Sequence, residues 1–98
     1  MKINQQKCVI QVLPALNSGG VERGTLEMAD YLVKKNWKSV VISSGGKLEN
    51  RLRRNGSTHI TLPVHTKNLF LWSKLKSDIE KVFLKQKPNI VHVRSRVP

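Results

Sequence analysis

Two pairs of adjacent glycines and two arginines are the residues of this sequence best suited to holding an anionic ligand. The pair Gly19–Gly20 stands between an apolar run and an amphipathic segment, and the pair Gly45–Gly46 follows a second apolar run. Glycine lets a backbone turn sharply and expose its N–H groups, so a phosphate can approach closely. Arg94 and Arg96 add guanidinium groups, which bind phosphates and acidic sugars well.

Each of these signals has a plain structural alternative. A glycine pair is also what a tight turn with positive φ requires, and arginines near a chain end also serve simply as solvated charges. The first pair, in the stretch S-G-G-V-E-R-G, lacks the G-x-G-x-x-G spacing of dinucleotide-binding loops. The second apolar run ends without an acidic residue that could hold a ribose. The pattern therefore disfavours NAD binding.

The elements that must position these residues alternate between strands and helices. Short apolar runs rich in β-branched residues predict four strands, and apolar residues at helical spacing predict three helices. Asn36 is expected to end the first helix in a left-handed conformation, and Asn68 to cap the third. The predicted strands cover residues 8–14, 38–44, 58–63 and 89–93, and the predicted helices cover residues 21–36, 48–54 and 69–86.

This alternation predicts an α/β fold with an open parallel sheet and helices on both of its faces. The expected strand order is 3-2-1-4, with a switch point between the first and fourth strands. Ligands of such sheets bind beyond the carboxyl ends of the strands at that point. Because Gly19–Gly20 follow the first strand and Arg94 follows the fourth, we expect them at this edge.

The apolar pattern also predicts which side chains are buried. Cys8 is expected to be a small buried hydrophobe, and His92 a hydrogen-bonded core histidine. His59 and His65 have no partner at metal-ligand spacing and receive no catalytic role. Glu22 is expected to oppose the dipole of the first helix. The helices are predicted to bury Val21, Thr25, Met28, Ala29 and Leu32, then Leu48 and Leu52, then Trp72, Leu75, Ile79, Val82 and Phe83.

Length and charge limit the classes of protein and partner. The 98 residues suit one domain with a modest core, and 18 Lys and Arg against 6 Asp and Glu give a net charge of +12. Phosphates, anionic lipids and acidic glycans are the partners that such a charge attracts. No signal peptide or membrane span is recognisable, so a cytoplasmic protein is expected. Trp37, beside Lys34, Lys35 and Lys38, either closes a helix-strand corner or lies at a membrane interface.

Three stretches in order carry a family resemblance: QVLPALNSGGVERGTLEMADYL, VVISSGGKLENRLRRNGSTHITLPV and NIVHVRSRVP. They resemble the start of the bacterial nucleotide-sugar glycosyltransferases of group 1, family four. Those enzymes have the GT-B architecture of two Rossmann-like domains. The resemblance implies that residues 1–98 form a partial, apparently truncated Rossmann-like N-terminal domain on the acceptor side of such an enzyme.

The resemblance also implies site positions, none of them catalytic and none metal-binding. The first loop would lie against the donor diphosphate, and the later loops on the acceptor side of the cleft. No cofactor is implied beyond the nucleotide-sugar substrate. The sequence departs from the family in having Asn36-Trp37-Lys38 before the second strand and Asn89 before the fourth. The implied donor-phosphate residues are Gly19, Gly20, Val21, Glu22 and Arg23, and the acceptor-side residues are Gly45, Gly46, Lys67, Asn68, Arg94, Ser95 and Arg96.

The resemblance favours part of a glycosyltransferase that moves a sugar from a nucleotide-sugar donor to a lipid-linked or polysaccharide acceptor. The fragment alone is expected to be inactive, and it could contact an anionic membrane surface or self-associate through the fourth strand. Two alternatives remain: a basic nucleic-acid-binding module, and a split-gene product with no activity. Nucleic-acid binding is not expected, because the sequence has no recognised motif for it.

Overall fold

The computed structural model describes residues 6–16, 19–65 and 69–94. Strands and helices alternate in the predicted order, although several strands are shorter than predicted. Pro14 and Pro63 lack an N–H group, and both strands that precede them end two residues earlier. The elements are β1 (Cys8–Val12), α1 (Gly20–Lys34), β2 (Lys38–Ser43), α2 (Glu49–Arg54), β3 (Thr58–Thr61), α3 (Leu69–Gln86) and β4 (Ile90–Val93).

The four strands form one sheet in the order β3-β2-β1-β4, and every pairing is parallel. This confirms the predicted topology and its switch point between β1 and β4. Val12, the last residue of β1, pairs with Ile42 on one side and with Val93 on the other. The carboxyl ends of the strands therefore meet at one edge, which we call the carboxyl edge.

Two apolar layers cover the sheet, one on each face. On the first face, Leu13 and Val41 pack with α1 and α2 residues such as Ala29 and Leu52. On the second face, the buried side chains are Cys8, Ile10, Val40 and Ile42, with Val82 and Phe83 of α3 packed against them. Alternate residues of β1 and β2 point to opposite faces, so both strands carry apolar residues on each of their faces.

Helix α1 buries a face slightly different from the predicted one. Its buried residues include Leu26, which the sequence analysis did not place inside, whereas Met28 is 38% exposed. The prediction for Met28 was wrong because that side chain lies toward β4, where the groove beside it is open. Asn36 has φ of 63°, which confirms the predicted left-handed residue after this helix.

Strand β4 forms an exposed edge of the described sheet. All four of its residues are exposed, including Ile90 at 52% and Val93 at 66%. His92 was predicted to be a core histidine. This prediction was wrong, because no described element covers the outer side of its strand. Trp72 is also 40% exposed, contrary to the prediction, since its part of α3 overhangs the same open side.

We expect the chain to self-associate through β4, because an apolar edge strand offers unpaired backbone groups to a second copy. Light scattering after size exclusion should show a dimer fraction that rises with protein concentration. It should also rise with salt, which screens the repulsion between two chains of charge +12. Val91→Lys should abolish the dimer. Leu84→Lys is the matched control, since Leu84 is 76% exposed on α3, away from the edge. A monomer at every concentration, or equal effects of both variants, would contradict the expectation.

Candidate functional site

Two loops lie side by side at the carboxyl edge, and backbone hydrogen bonds hold them together. The first loop runs from Leu13 to Gly19, with residues 17 and 18 outside the described part, and the second runs from Ser44 to Leu48. Leu16 N–H donates to Gly45 O at 3.0 Å, and Leu48 N–H donates to Leu16 O at 2.8 Å. Ser44 N–H also donates to Pro14 O at 3.0 Å. Because of these bonds, the two loops must move together.

The glycines of these loops have conformations that other residues rarely adopt. Gly19, Gly45 and Gly46 have φ of 148°, 99° and 154°. Each of them therefore meets the requirement of a tight turn for positive φ, which was the structural alternative to ligand binding. Gly20 begins α1, and a Cβ atom added there would meet no atom within 4 Å. A side chain at this position would therefore be accommodated without a clash.

The amino terminus of α1 lies at the same edge. The residue before the helix is Gly19, whose lack of a side chain leaves the terminus without a side-chain cap. Gly19 O accepts the hydrogen bond of Arg23 N–H at 3.0 Å. The first N–H groups of a helix and its dipole favour an anion. Glu22 lies in this first turn, as predicted, and is only 3% exposed, which the sequence did not indicate.

Arg94 lies beside α1 because β4 pairs with β1. Its backbone N–H donates to Val12 O at 2.7 Å, which continues the ladder, and its Nε donates to Gln11 Oε1 at 2.8 Å. Gln11 is fully buried within β1, and its Nε2 donates to Thr25 O of α1 at 3.3 Å. The buried amide thus fixes the direction of the guanidinium. The role of Gln11 was not predicted, because nothing in the sequence distinguished it from an ordinary strand residue.

Gly24 makes room for the guanidinium of Arg94. A glycine inside a helix costs about 1 kcal/mol relative to alanine, so Gly24 needs a reason. A Cβ atom added at this position would lie 3.3 Å from Arg94 Nη1. The glycine therefore allows the guanidinium to approach the backbone of α1 closely, next to the first loop.

The structure brings most of the predicted residues to one edge. Gly19 and Arg94 share the carboxyl edge, and the second glycine pair follows β2 at that edge. What these residues bind stays a prediction. The remaining positions, Lys67, Asn68, Ser95 and Arg96, lie outside the described residues.

A second buried polar cluster lies under the second loop, and it was not predicted from the sequence. His59, 6% exposed, contacts Ser43 of β2 and Glu49 of α2. The signal was weak because the partners of His59 lie on other elements. Within the described ranges, no group of three or more His, Cys, Asp or Glu side chains could hold a metal ion. Cys8 is buried as expected, and burial raises the pKa of its thiol, with Lys38 opposing the effect.

Comparisons with known proteins agree with this architecture. The sequence profile of the family described as "Glycosyl transferase 4-like" matches residues 16–98. The crystal structure of a glycosyltransferase from Rickettsia africae ESF-5 is 39% identical to the chain, with a TM-score of 0.83 over 97% of it. The chain spans 25% of the length of that protein. A comparison with curated proteins gave no match.

The contact between Gly24 and Arg94 can be measured by a double-mutant cycle. In an Arg94→Ala background, Gly24→Ala should stabilise the protein by about 0.8–1 kcal/mol, the ordinary helix-propensity gain. With Arg94 present, the gain should be smaller by at least about 0.5 kcal/mol, because the methyl group crowds the guanidinium. Urea unfolding followed by circular dichroism gives both values. Gly20→Ala is the control, with equal effects in both backgrounds. Equal gains for Gly24→Ala would contradict the assigned contact.

Proposed function

Because the chain belongs to the glycosyl transferase 4-like family, we propose that its carboxyl edge forms one wall of a glycosyl-transfer cleft. In this proposal a sugar passes from a nucleotide-sugar donor to a lipid-linked or polysaccharide acceptor. The observation that carries the proposal is the convergence of Arg94, the first loop and the start of α1 at the switch point of the sheet. This is where α/β sheets bind their ligands.

The chemistry of glycosyl transfer explains why an anion site belongs there. The bond between the anomeric carbon and the diphosphate oxygen breaks with its electron pair on the diphosphate, a bond from that carbon to the oxygen of an acceptor hydroxyl forms, and the proton of that hydroxyl is released. Negative charge grows on the departing diphosphate, so preoriented donors that face it stabilise the transition state. The N–H groups at the start of α1 and the guanidinium of Arg94 have this character. In this proposal Arg94 therefore faces the donor diphosphate, whereas the family resemblance implied a position on the acceptor side. The second loop would then contact the acceptor.

We assign the described residues to binding rather than to the complete reaction. Transfer requires the donor and the acceptor to be held together, and this positioning supplies about 7–11 kcal/mol of the barrier in favourable cases. The chain corresponds to 25% of the length of its solved relative. We therefore propose that the 98 residues bind the anionic group without turnover.

The anion site can be tested with inorganic pyrophosphate, which probes the diphosphate part of any nucleotide-sugar. Titration calorimetry should show binding that Arg94→Gln weakens at least about tenfold, because a charge-assisted hydrogen bond is worth about 1.5–3 kcal/mol. Arg54→Gln removes the same charge from an exposed position at the end of α2 and should change the affinity by less than about twofold. Equal losses in both variants would show that net charge, not this edge, attracts the anion.

A different surface supports the proposed contact with an anionic membrane. At the amino ends of the strands, Lys7 Nζ lies 5.2 Å from the ring centroid of Trp37, and Lys35 Nζ lies 5.6 Å from that of Tyr31. Aromatic rings with adjacent cations are typical of membrane interfaces. We call these residues, together with Lys38, the aromatic corner. No helix within the described ranges is long and apolar enough to cross a bilayer.

Vesicle co-sedimentation tests this contact. The chain should bind vesicles containing phosphatidylglycerol and not vesicles of phosphatidylcholine alone. The double variant Lys35→Gln/Lys38→Gln should weaken binding about thirtyfold, since each cation near an anionic surface contributes about 1 kcal/mol. Lys76→Gln/Lys81→Gln, with both changes on exposed positions of α3, is the matched control. An equal effect of the two double variants, or equal binding to both kinds of vesicle, would refute a specific role for the aromatic corner.

A further inference from the structure

His59 lies in a buried chain of hydrogen bonds beneath the second loop. Its side chain is 0% exposed, and its Nε2 lies 2.6 Å from Ser43 Oγ. The Ser43 hydroxyl also accepts a hydrogen bond of 3.0 Å from the backbone N–H of Gly45. His59 pairs with Val41, two positions before Ser43, so the histidine and serine are diagonal neighbours on one face of the sheet. One hydroxyl therefore connects the imidazole to the turn at Gly45.

The surroundings of the ring determine where its proton lies. Nδ1 lies 3.5 Å from Glu49 Oε1 and 3.4 Å from Thr61 Oγ1, and a carboxylate can only accept a hydrogen bond. A proton on Nδ1 therefore faces Glu49, and Nε2 is left to accept the proton of the Ser43 hydroxyl. In this tautomer Ser43 Oγ keeps a lone pair for Gly45 N–H, so its donor and acceptor roles are both used.

Burial favours the neutral form of the ring, and the two charged groups around it act in opposite directions. Burial lowers the pKa of His59 below its ordinary value, while the Glu49 carboxylate opposes this shift and the Arg53 guanidinium reinforces it. Both charged groups come from α2, where their side chains are bonded to each other at 3.0 Å. Ser43 of β2 and Thr61 of β3 contribute only hydroxyl groups. The neutral ring is the form that can accept the Ser43 proton.

Backbone hydrogen bonds connect the turn at Gly45 to the first loop. Gly45 O accepts a hydrogen bond from Leu16 N–H, and Leu16 O accepts one from Leu48 N–H. The position of Leu16 in the first loop therefore depends on the second loop. We propose that His59 is a positioning residue: through Ser43 it fixes the turn at Gly45 and, through Leu16, the first loop. What these loops bind rests on the proposed function, whereas the relay itself does not.

Protonation of His59 offers a direct test of the relay. A proton on Nε2 would make the ring a donor to Ser43 Oγ, and the hydroxyl proton would have to turn to another acceptor. In nitrogen-15 NMR spectra recorded from neutral to acidic pH, the Gly45 amide should therefore shift with the same midpoint as the His59 ring. That midpoint should lie below about 6.5. A Gly45 amide that does not follow the titration of His59 would overturn the inference.

Three variants separate positioning from a general loss of structure. His59→Gln offers an amide in place of Nε2, so the Gly45 amide should keep nearly its original chemical shift but lose its pH dependence. His59→Leu and Ser43→Ala should both displace the Gly45 signal at neutral pH. His65→Gln is the matched control, because His65 is exposed and should leave the Gly45 titration unchanged. An unshifted Gly45 amide in His59→Leu would also overturn the inference.

Pyrophosphate binding connects the relay to the proposed site. The ratio of the dissociation constants at acidic and neutral pH should be larger in the wild type than in His59→Gln, by about fivefold or more. The comparison removes the titration of pyrophosphate itself, which is common to both proteins. Equal ratios would show that the relay does not position the anion site. If neither protein binds pyrophosphate, the proposed function fails, and the Gly45 signal alone then decides whether the relay exists.

The same titration affects stability in a defined direction. Because the folded state lowers the pKa of His59, the unfolded chain binds more protons as the pH falls. The contribution of the neutral ring to the free energy of unfolding is complete above a pH of about 6.5, the ordinary pKa of histidine. It is lost as the pH falls from there toward the pKa of His59 in the folded state. The urea midpoint of the wild type should therefore fall more on acidification than that of His59→Gln. If the urea midpoints of the two proteins fell equally on acidification, the result would contradict a buried neutral ring.

Discussion

The parallel pairing of β1 with both of its neighbours determines where every side chain of the candidate site lies. Its register pairs Gln11 with His92 and Val12 with Val93, so the backbone of Arg94 reaches Val12 and its side chain reaches Gln11. A slip of one residue would turn Gln11 to the opposite face of the sheet, away from α1. Apolar residues on both faces of β1 prevent this slip, because it would also exchange the contents of the two apolar layers.

Buried polar side chains of the strands hold the parts of the candidate site together. Gln11 joins β1 to α1 and to Arg94, and Ser43 with His59 lies beneath the second loop. Burying such groups is costly unless they are hydrogen-bonded, and each of these three has a bonded partner. A fully bonded polar cluster holds one geometry more strictly than an apolar contact does. The loops can therefore keep their glycine-rich backbones and still be well placed.

The sequence was sufficient for the fold because the fold depends on local patterns. Apolar runs and helical spacing are both read within a few residues, and their alternation predicted the elements and the strand order. The contacts that orient Arg94 and His59 could not be read in this way, because their partners lie 83 and 16 positions away in the chain. The errors at Met28, Trp72 and His92 have a related cause: periodicity shows which face is apolar, but not whether anything covers it.

The two edges of the sheet carry different chemistry, and their separation limits how they can cooperate. Glycine turns and Arg94 lie at the carboxyl edge. The aromatic corner lies at the opposite end of the sheet, where the strands begin. A strand of five residues such as β1 spans about 17 Å, at about 3.3 Å per residue. An anion at one edge and a lipid headgroup at the other would therefore be separated by more than a Debye length at physiological salt, about 8 Å. Direct electrostatic coupling between them would be weak. A lipid-linked acceptor would have to reach the carboxyl edge by extending its polar part away from the membrane surface.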